Sequence, residues 1–185
     1  RFENAKYDSV PKQIRDIFEK MPNTKQGIYL HGAVGTGKTH SCYAIKSKYD
    51  VPNQSNPDGT WKIGRSCTFW NMTELLREIR QDFDRSTNDK THVEDSIIEF
   101  PGLVIIDDLG SEKITDWVQE TFYLIVNKRY NDMLPTIFTS NFNIPDLKLR
   151  IGDRTASRIV EMCELVELVG NDRRVINKPK IKINV

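Results

Sequence analysis

A glycine-rich stretch, residues 31–40 with the sequence HGAVGTGKTH, contains the residue types that bind phosphate. Residues 32–39, GAVGTGKT, match the pattern G-x-x-x-x-G-K-[ST] at every fixed position. Glycines allow consecutive backbone N–H groups to point at phosphate oxygens, and a helix predicted to follow adds its positive N-terminal end. The pattern predicts that a nucleoside triphosphate is held by Gly32, Ala33, Val34, Gly35, Thr36, Gly37, Lys38, Thr39 and His40.

Two side chains of this loop have separate tasks in the prediction. Lys38 reaches the β- and γ-phosphates, and the Thr39 hydroxyl is a ligand of Mg²⁺. We expect Lys38 to be exposed when no nucleotide is bound, so that its replacement by alanine abolishes nucleotide binding and leaves the fold intact. His31 and His40 flank the loop without partners at metal-ligand spacing, which favours packing or surface positions for both rings.

A second candidate site is LVIIDD at residues 103–108, a continuous apolar run that ends in two carboxylates. Such a run is typical of a central parallel strand, and ligands bind at the carboxyl ends of parallel strands. Asp107 is predicted to hold Mg²⁺ through water, and Asp108 to polarise the attacking water. The carboxylate of an aspartate reaches less far than that of a glutamate, so we expect slow hydrolysis.

A polar residue also ends the strand TIFTSN at residues 136–141. If this strand lies next to the strand that precedes the glycine loop, Asn141 can touch the γ-phosphate or orient the water. The alternative is that Asn141 caps its own turn. Asn71 precedes another predicted helix and is interpreted as its N-cap, with Glu74 completing a capping box.

Three arginines in RIGDRTASRIVEMC form the last candidate group: Arg150, Arg154 and Arg158. On a helix that begins at Asp153, Arg154 and Arg158 share one face, while Ala156, Ile159, Val160 and Cys163 are predicted to face the core. Two stacked positive charges favour an anion nearby. In a single chain this is Glu161 or solvent; in an assembly it is the γ-phosphate of the neighbouring subunit, contacted by an arginine finger.

The elements that must position these residues alternate between strand and helix. Strands are predicted at residues 27–30, 67–70, 103–108, 136–141 and 163–169. Helices are predicted at 11–21, about 38–49, from 72 to 83, 112–131 and 153–162, with Ile114, Trp117, Val118, Leu124 and Ile125 as core candidates of the longest one. Such alternation predicts an α/β fold, with a parallel five-stranded sheet and helices on both faces.

Composition limits the possible classes. The chain has 185 residues, 27 basic and 26 acidic side chains and 38% hydrophobic residues, which fits a single globular domain without a strongly basic nucleic-acid surface. No apolar run approaches the roughly 20 residues that span a bilayer. No signal peptide opens the chain, and three separated cysteines without a C-x-x-C pair fit a reducing cytoplasm. Because the sequence starts at Arg1, we expect an N-terminal partner-binding region to be missing.

Two polar segments depart from the alternating pattern. Residues 51–64 are interpreted as a surface loop or hairpin insertion, and residues 176–185 as a C-terminal tail. Trp61, Lys62 and Arg65 could stack on and neutralise a single strand of nucleic acid, although a solvated loop is the simpler interpretation.

In their order along the chain, HGAVGTGKTH, LVIIDDLG, TIFTSN and GDRTASRI resemble the AAA+ domain of the DnaC/DnaI helicase loaders and of the related IstB transposition helper. The opening RFENAKYDSVP is also similar to the start of that domain, so the resemblance covers nearly the whole chain. It implies a P-loop ATPase core without a C-terminal helical lid, with ATP and Mg²⁺ as cofactors. It assigns the roles above to Lys38, Thr39, Asp107, Asp108 and Asn141, and implies that Arg158, beside Arg154, is an arginine finger. In related ATPases a polar residue at the position of Asn71 can also sense the catalytic acid, a role secondary to its N-cap.

The resemblance leaves three functions open. The first is the motor of a replicative helicase loader, which self-associates, grips single-stranded DNA and contacts a hexameric helicase. The second is a transposition helper that binds duplex DNA and recruits a transposase. The third is a nucleotide-dependent regulator that hardly hydrolyses ATP. The near-neutral charge favours the loader, because wrapping duplex DNA requires many phosphate contacts.

Overall fold

The structure is a computed structural model that describes residues 2, 4–24, 26–55, 61–62, 64–84 and 93–172. The tail expected at residues 176–185 lies outside the described residues. So does most of the polar stretch at residues 84–95, except for its two ends.

The described strands that follow the predicted alternation form a five-stranded sheet in the order β4-β5-β6-β1-β7, and every neighbouring pair is parallel. The strands are β1 (Gly27–His31), β4 (Cys67–Asn71), β5 (Leu103–Asp107), β6 (Thr136–Ser140) and β7 (Cys163–Glu167); β2 and β3 belong to the insertion. The predicted parallel sheet of five strands is confirmed. Because β6 lies between β5 and β1, the residues that follow these three strands meet at one edge.

Helices cover both faces of this sheet. They are α1 (Lys12–Thr24), α2 (Lys38–Tyr49), α3 (Met72–Asp84), α4 (Val93–Ile98), α5 (Asp116–Asn131), α6 (Ile144–Ile151) and α7 (Asp153–Met162). Strand side chains alternate between two hydrophobic clusters: Ile28 and Leu30 pack with residues of α1 and α2, whereas Tyr29 packs with residues of α3, α5 and α7. This alternation is the period of two expected for a strand that is buried on both faces.

The structure contains two short α-helices that the sequence did not predict, and the longest helix begins later than predicted. Helix α4 follows the polar stretch, and α6 begins after Asn143, whose side chain accepts a hydrogen bond from the Asp146 N–H at 2.9 Å. Helix α5 begins at Asp116 rather than at residue 112, because the hydroxyl of Thr115 accepts from the Val118 N–H and caps it there.

Two predicted core residues are exposed. Leu124 on α5 and Val160 on α7 have 45% and 41% of their surface accessible, whereas Ile125 and Ile159 beside them are buried. In each of these helices, the predicted apolar face was one residue wider than the face that is buried. The other predicted core positions on these helices are buried or packed against the core.

The insertion at residues 51–64 contains a hairpin. Strand β2 (Gln54–Ser55) pairs antiparallel with β3 (Trp61–Lys62), and an antiparallel bridge between Val51 and Arg65 closes its base. The guanidinium of Arg65 lies 4.9 Å from the ring centroid of Tyr49, at the end of α2. Arg65 therefore packs on the body of the protein at the base of the hairpin.

A fully buried arginine links three elements behind the sheet. Arg129, on α5, donates to the carbonyl oxygens of Ile97, Phe100, Gly102 and Pro135 and to the Thr136 hydroxyl, at 2.7 to 3.3 Å. Burial lowers the pKa of Arg129 to about 10. The side chain thereby satisfies the backbone carbonyls at the end of α4 and at the starts of β5 and β6.

None of the helices in the described ranges is long and apolar enough to cross a membrane. All three cysteines, Cys42, Cys67 and Cys163, are buried free thiols.

Candidate nucleotide-binding site

The glycine-rich loop lies where the sequence predicts it, between β1 and α2. Three of its glycines have a positive φ: Gly32 (139°), Gly35 (82°) and Gly37 (105°). Residues with a side chain rarely adopt these angles, so the backbone requires glycine at all three positions. The loop is therefore built to turn its backbone inward at the N-terminus of α2, which is the arrangement that binds phosphate.

Lys38 is buried, contrary to the expectation that it is exposed. Only 7% of its surface is accessible. Its Nζ donates to the carbonyl oxygens of Gly32 (2.7 Å) and Ala33 (3.0 Å) and to Asn141 Oδ1 (2.8 Å). The ammonium group has three donors, and at this buried position they pair with oxygen atoms of the loop and of Asn141. Replacing this lysine consequently removes contacts of the nucleotide-free loop as well.

Thr39 and Asp107, the two predicted metal ligands, lie against each other. The Thr39 hydroxyl is 3.1 Å from Asp107 Oδ1 and 3.0 Å from Oδ2. Burial raises the pKa of Asp107 above its ordinary value, and Asp108 adds to this, while hydrogen bonds from Thr139 and Thr39 oppose it. A hydroxyl beside a carboxylate is a donor set of hard oxygens that fits Mg²⁺.

The protein supplies few charged ligands for such an ion. The described residues contain no group of three or more His, Cys, Asp or Glu side chains with metal-ligand geometry. Mg²⁺ characteristically keeps several waters and binds through one or two protein groups and the phosphates of a nucleotide. The pair of Thr39 and Asp107 fits that mode of binding and does not resemble a closed metal cage.

Asn141 connects the loop to the second carboxylate. Its Oδ1 accepts from Lys38 Nζ, and its Nδ2 donates to Asp108 Oδ1 at 3.0 Å. Asp108 has a φ of 63°, an uncommon angle for a residue other than glycine, and its side chain is half-buried. Asn141 follows β6, the strand next to β1, as the sequence argument required. The structure thus brings Lys38, Thr39, Asp107, Asp108 and Asn141 together.

Thr139 belongs to the same cluster and was missed. Its hydroxyl donates to Asp107 Oδ1 at 2.6 Å and accepts from the Asp108 N–H at 3.0 Å. The side chain is 1% exposed. The signal in the sequence is a hydroxyl residue between the apolar pair Ile137 and Phe138 and Ser140, on a predicted buried strand.

The arginines of α7 lie elsewhere. Arg158 Nε donates to Asn127 Oδ1 at 2.7 Å, and its guanidinium lies 5.0 Å from the ring centroid of Tyr123 and 5.9 Å from that of Tyr130. Arg158 is therefore half-buried against α5, and its partner within one chain is Asn127 rather than the Glu161 or solvent named as the single-chain alternative. Arg154 is exposed. Within the described residues, neither arginine is brought to the phosphate-binding loop.

The remaining candidates have local partners. Asn71 Oδ1 accepts from the Thr73 N–H at 3.1 Å, so the predicted N-cap is present, and the backbone of Asn71 is in register with Asp107. His40 Nε2 is 2.8 Å from the Ser9 hydroxyl. Arg150 donates to the carbonyl oxygen of Gly110, in the loop after β5.

The segment after β7 lies along the phosphate-binding loop. The Leu168 N–H donates to the His31 carbonyl at 2.7 Å, and a Cβ atom on Gly32 would collide with the Leu168 carbonyl oxygen. A Cβ atom on Gly35 would likewise collide with the carboxylate of Asp172. An acidic side chain thus lies against a loop built for anions, and no pattern in the sequence indicated it.

Comparison with known proteins points to one family. The model of the family described as IstB-like ATP binding protein matches residues 7–181. The replicative helicase loader DnaI of Bacillus subtilis (strain 168) is 26% identical over 163 residues, which cover 80% of this chain and 48% of that protein. The chain therefore spans about half the length of this curated relative.

Solved structures share the fold. The DnaC helicase loader crystal structure has a TM-score of 0.74 and 27% identity, covering 91% of this chain and 99% of that chain. AMPPCP-bound DnaA from Aquifex aeolicus has a TM-score of 0.67 and 20% identity, over 91% of this chain and 51% of that chain, a likeness of fold alone. The predicted AAA+ P-loop core is confirmed, and no helical lid follows β7 in the described part, which extends to residue 172.

Proposed function

The chain belongs to the IstB-like ATP-binding protein family, and on that premise we propose that it is the ATPase motor of a replicative helicase loader. In this proposal ATP and Mg²⁺ switch its grip on single-stranded DNA and on a hexameric helicase in the cytoplasm. The observation that carries the ATPase assignment is the connected series of contacts from Lys38 through Asn141 to Asp108, beside Thr39 and Asp107.

Each side chain has a defined task in this proposal. Lys38, already held at the mouth of the loop, transfers its donors from the Gly32 and Ala33 carbonyls to phosphate oxygens. Thr39 and Asp107 hold Mg²⁺, which neutralises phosphate charge when bound. Asp108 would accept a proton from the attacking water, and Asn141, which donates to that carboxylate, would hold it in position.

The arginines of α7 complete the proposed motor only in an assembly. Within the described residues Arg158 contacts α5 and its own helix, so its guanidinium serves the ATP of a neighbouring subunit in our proposal. Arg154, one turn away and exposed, is the second candidate for the same task. Self-association is therefore part of the proposed function.

The ATPase assignment is tested by calorimetry and by turnover. The parent protein should bind ATP more tightly with Mg²⁺ than without it and release phosphate slowly. Asp108→Asn should bind Mg²⁺ and ATP as the parent does and lose turnover, because Asp107 still serves the metal while the water lacks its base. Failure of the folded parent to bind ATP contradicts the proposal, and parent-level turnover by Asp108→Asn removes Asp108 from the chemistry.

The choice of loader rests on likeness to the DnaC helicase loader over 99% of that chain. The family name keeps a transposition helper as the second candidate. A loader should prefer single-stranded DNA and bind it more tightly with ATP. The salt dependence of this binding should be shallow, because a chain with 27 basic and 26 acidic side chains neutralises few DNA phosphates. A preference for duplex DNA that does not depend on nucleotide favours the transposition helper.

Association with a helicase is tested separately, with the full-length protein and a purified hexameric helicase. ATP-dependent capture supports the loader. Turnover that DNA and helicase both leave unchanged, with no capture, would favour a nucleotide-dependent regulator of another protein.

A further inference from the structure

We propose that Thr139 is a positioning residue that sets the orientation of both carboxylates, Asp107 and Asp108. The inference rests on the proposed ATPase function and adds to it a residue that acts through Asp107 and Asp108. Thr139 lies on β6, and both carboxylates lie at the end of the neighbouring strand β5, so one side chain reaches both.

The hydroxyl of Thr139 fixes the rotation of the Asp107 carboxylate. Its bond to Oδ1, at 2.6 Å, is the short contact expected between a hydroxyl donor and a carboxylate. Thr39 cannot fix that rotation, because its hydroxyl lies almost equally far from the two oxygens, at 3.1 and 3.0 Å. Thr139 therefore anchors Oδ1 and leaves Oδ2 for the side of the site where Thr39 and the metal are expected.

The same residue holds Asp108 in its uncommon backbone conformation. Because the one hydroxyl proton is donated to Asp107, the Thr139 oxygen is left to accept the Asp108 N–H. The Thr139 carbonyl oxygen accepts the next amide, Leu109 N–H, at 2.8 Å. Asp108 is thus held on both sides at a φ of 63°, an angle that needs support from its surroundings.

These contacts make both aspartates dependent on one hydroxyl group, Asp107 through its carboxylate and Asp108 through its backbone amide. Loss of the hydroxyl frees the rotation of Asp107 and leaves the Asp108 amide unpaired in a partly buried place. Both effects displace oxygens that must be correctly placed for metal binding and for water activation. Partners of metal ligands typically change metal affinity or activity by about 10–100-fold when they are removed.

A series of three variants separates positioning from simple stabilisation. Thr139→Val removes the hydroxyl at nearly constant shape, and Thr139→Ser keeps it. Ser140→Ala is the matched control: the neighbouring Ser140 is also fully buried, and its hydroxyl donates to the Leu109 carbonyl and accepts from the Phe142 N–H without touching a carboxylate. All three are compared with the parent by urea unfolding and by calorimetry of ATP with and without Mg²⁺.

The readout is the factor by which Mg²⁺ strengthens ATP binding, which is independent of turnover. We expect Thr139→Val to reduce this factor about 10–100-fold, whereas Thr139→Ser and Ser140→Ala keep the parent value even where Ser140→Ala unfolds more easily. An unchanged factor in folded Thr139→Val, or an equal loss in Ser140→Ala, overturns the positioning role. A parent that binds ATP without any gain from Mg²⁺ also overturns it, while a parent that does not bind ATP contradicts the proposed function itself.

Discussion

At the scale of single residues, the site has an ionisable carboxyl group, that of Asp107, at a buried position. Asp107 is 5% exposed, and its hydrogen-bond partners are hydroxyl groups, while the charge of Lys38 partly opposes the effect of burial on its pKa. Burial raises the pKa of its carboxyl group, which means that the folded protein binds this proton more tightly than the unfolded chain does. Ionisation of Asp107 therefore lowers the stability of the nucleotide-free protein.

The first prediction concerns Asp107→Asn in the nucleotide-free protein. The contribution of a carboxyl group with a raised pKa is fully present below the pKa of the unfolded chain and is lost as the pH rises through the folded-state value. Asp107→Asn should therefore have a higher free energy of unfolding than the parent at neutral pH, and this difference should disappear in acid. Urea unfolding at a series of pH values measures it.

The control for this prediction is an exposed carboxylate. Asp132→Asn removes a charge that pairs with Lys128 at 3.1 Å on the surface, and it should change stability by no more than about 1 kcal/mol. If Asp107→Asn is less stable than the parent at neutral pH, the hydroxyl bonds outweigh the cost of burial and the prediction is wrong.

At the scale of elements, Arg129 connects helix α4 to the starts of the neighbouring strands β5 and β6. Its five donors face carbonyl or hydroxyl oxygens from α4, from the loop before β5 and from the start of β6. A planar guanidinium with five donors matches this set, and an ammonium with three cannot. The same β5 and β6 carry Asp107 and Thr139 at their other ends, so Arg129 supports the site from a distance.

The second prediction is that Arg129 is required for stability. Arg129→Met and Arg129→Lys leave buried carbonyl groups unpaired, each of which costs about 1–3 kcal/mol, so we expect a loss of roughly 3 kcal/mol or more in urea unfolding, with lysine the milder change. Lys128→Met, on the same helix and exposed, should stay within about 0.5 kcal/mol of the parent. Equal stability of Arg129→Met and the parent contradicts the prediction.

The elements also show which parts of the fold could be predicted from the sequence. The glycine pattern, the two apolar runs that end in polar residues and the alternation of strand and helix are local signals, and each led to the correct element. The burial of Lys38 and Arg129 and the bonds of Thr139 involve contacts between residues 27 to 103 positions apart, which local patterns do not contain. Helix α6 could be predicted from the sequence, because Asn143, two residues before Pro145, is a signal for the start of a helix.

At the scale of the whole molecule, the segment after β7 and the phosphate-binding loop are in contact, and this contact has an electrostatic consequence. The carboxylate of Asp172 lies against Gly35, where the negative charge of a nucleotide would be close to it. Like charges at such range repel, although solvent and salt weaken the repulsion. Binding of ATP must therefore displace or tolerate this carboxylate.

The third prediction is that Asp172→Asn binds ATP more tightly than the parent, by roughly tenfold at low ionic strength, with a smaller gain at high salt. Titration calorimetry at two salt concentrations measures it. Asp153→Asn, which changes an exposed carboxylate at the start of α7, serves as the control and should leave the affinity unchanged. Weaker binding by Asp172→Asn indicates that the carboxylate assists the nucleotide instead.

The last prediction concerns the assembly. Arg158→Ala should bind ATP as the parent does and hydrolyse it poorly, with a loss that can reach 10³-fold for an arginine finger. Asn127→Ala removes the main anchor of Arg158 and keeps its guanidinium, so it should retain turnover if the arginine acts on a neighbour and lose it if the arginine only braces α5. Lys38→Ala has the opposite defect, because it cannot hold ATP yet presents an intact Arg158.

Mixing the two inactive proteins makes this prediction decisive. A subunit with Arg158→Ala that holds ATP can meet a Lys38→Ala neighbour, and that pair contains one complete site. The mixture should therefore regain part of the ATPase activity, measured at high protein concentration or with single-stranded DNA to promote assembly. A mixture that stays inactive where the parent is active, or full activity of Arg158→Ala alone, contradicts the finger in trans, and the same mixture with Arg154→Ala then tests the remaining arginine.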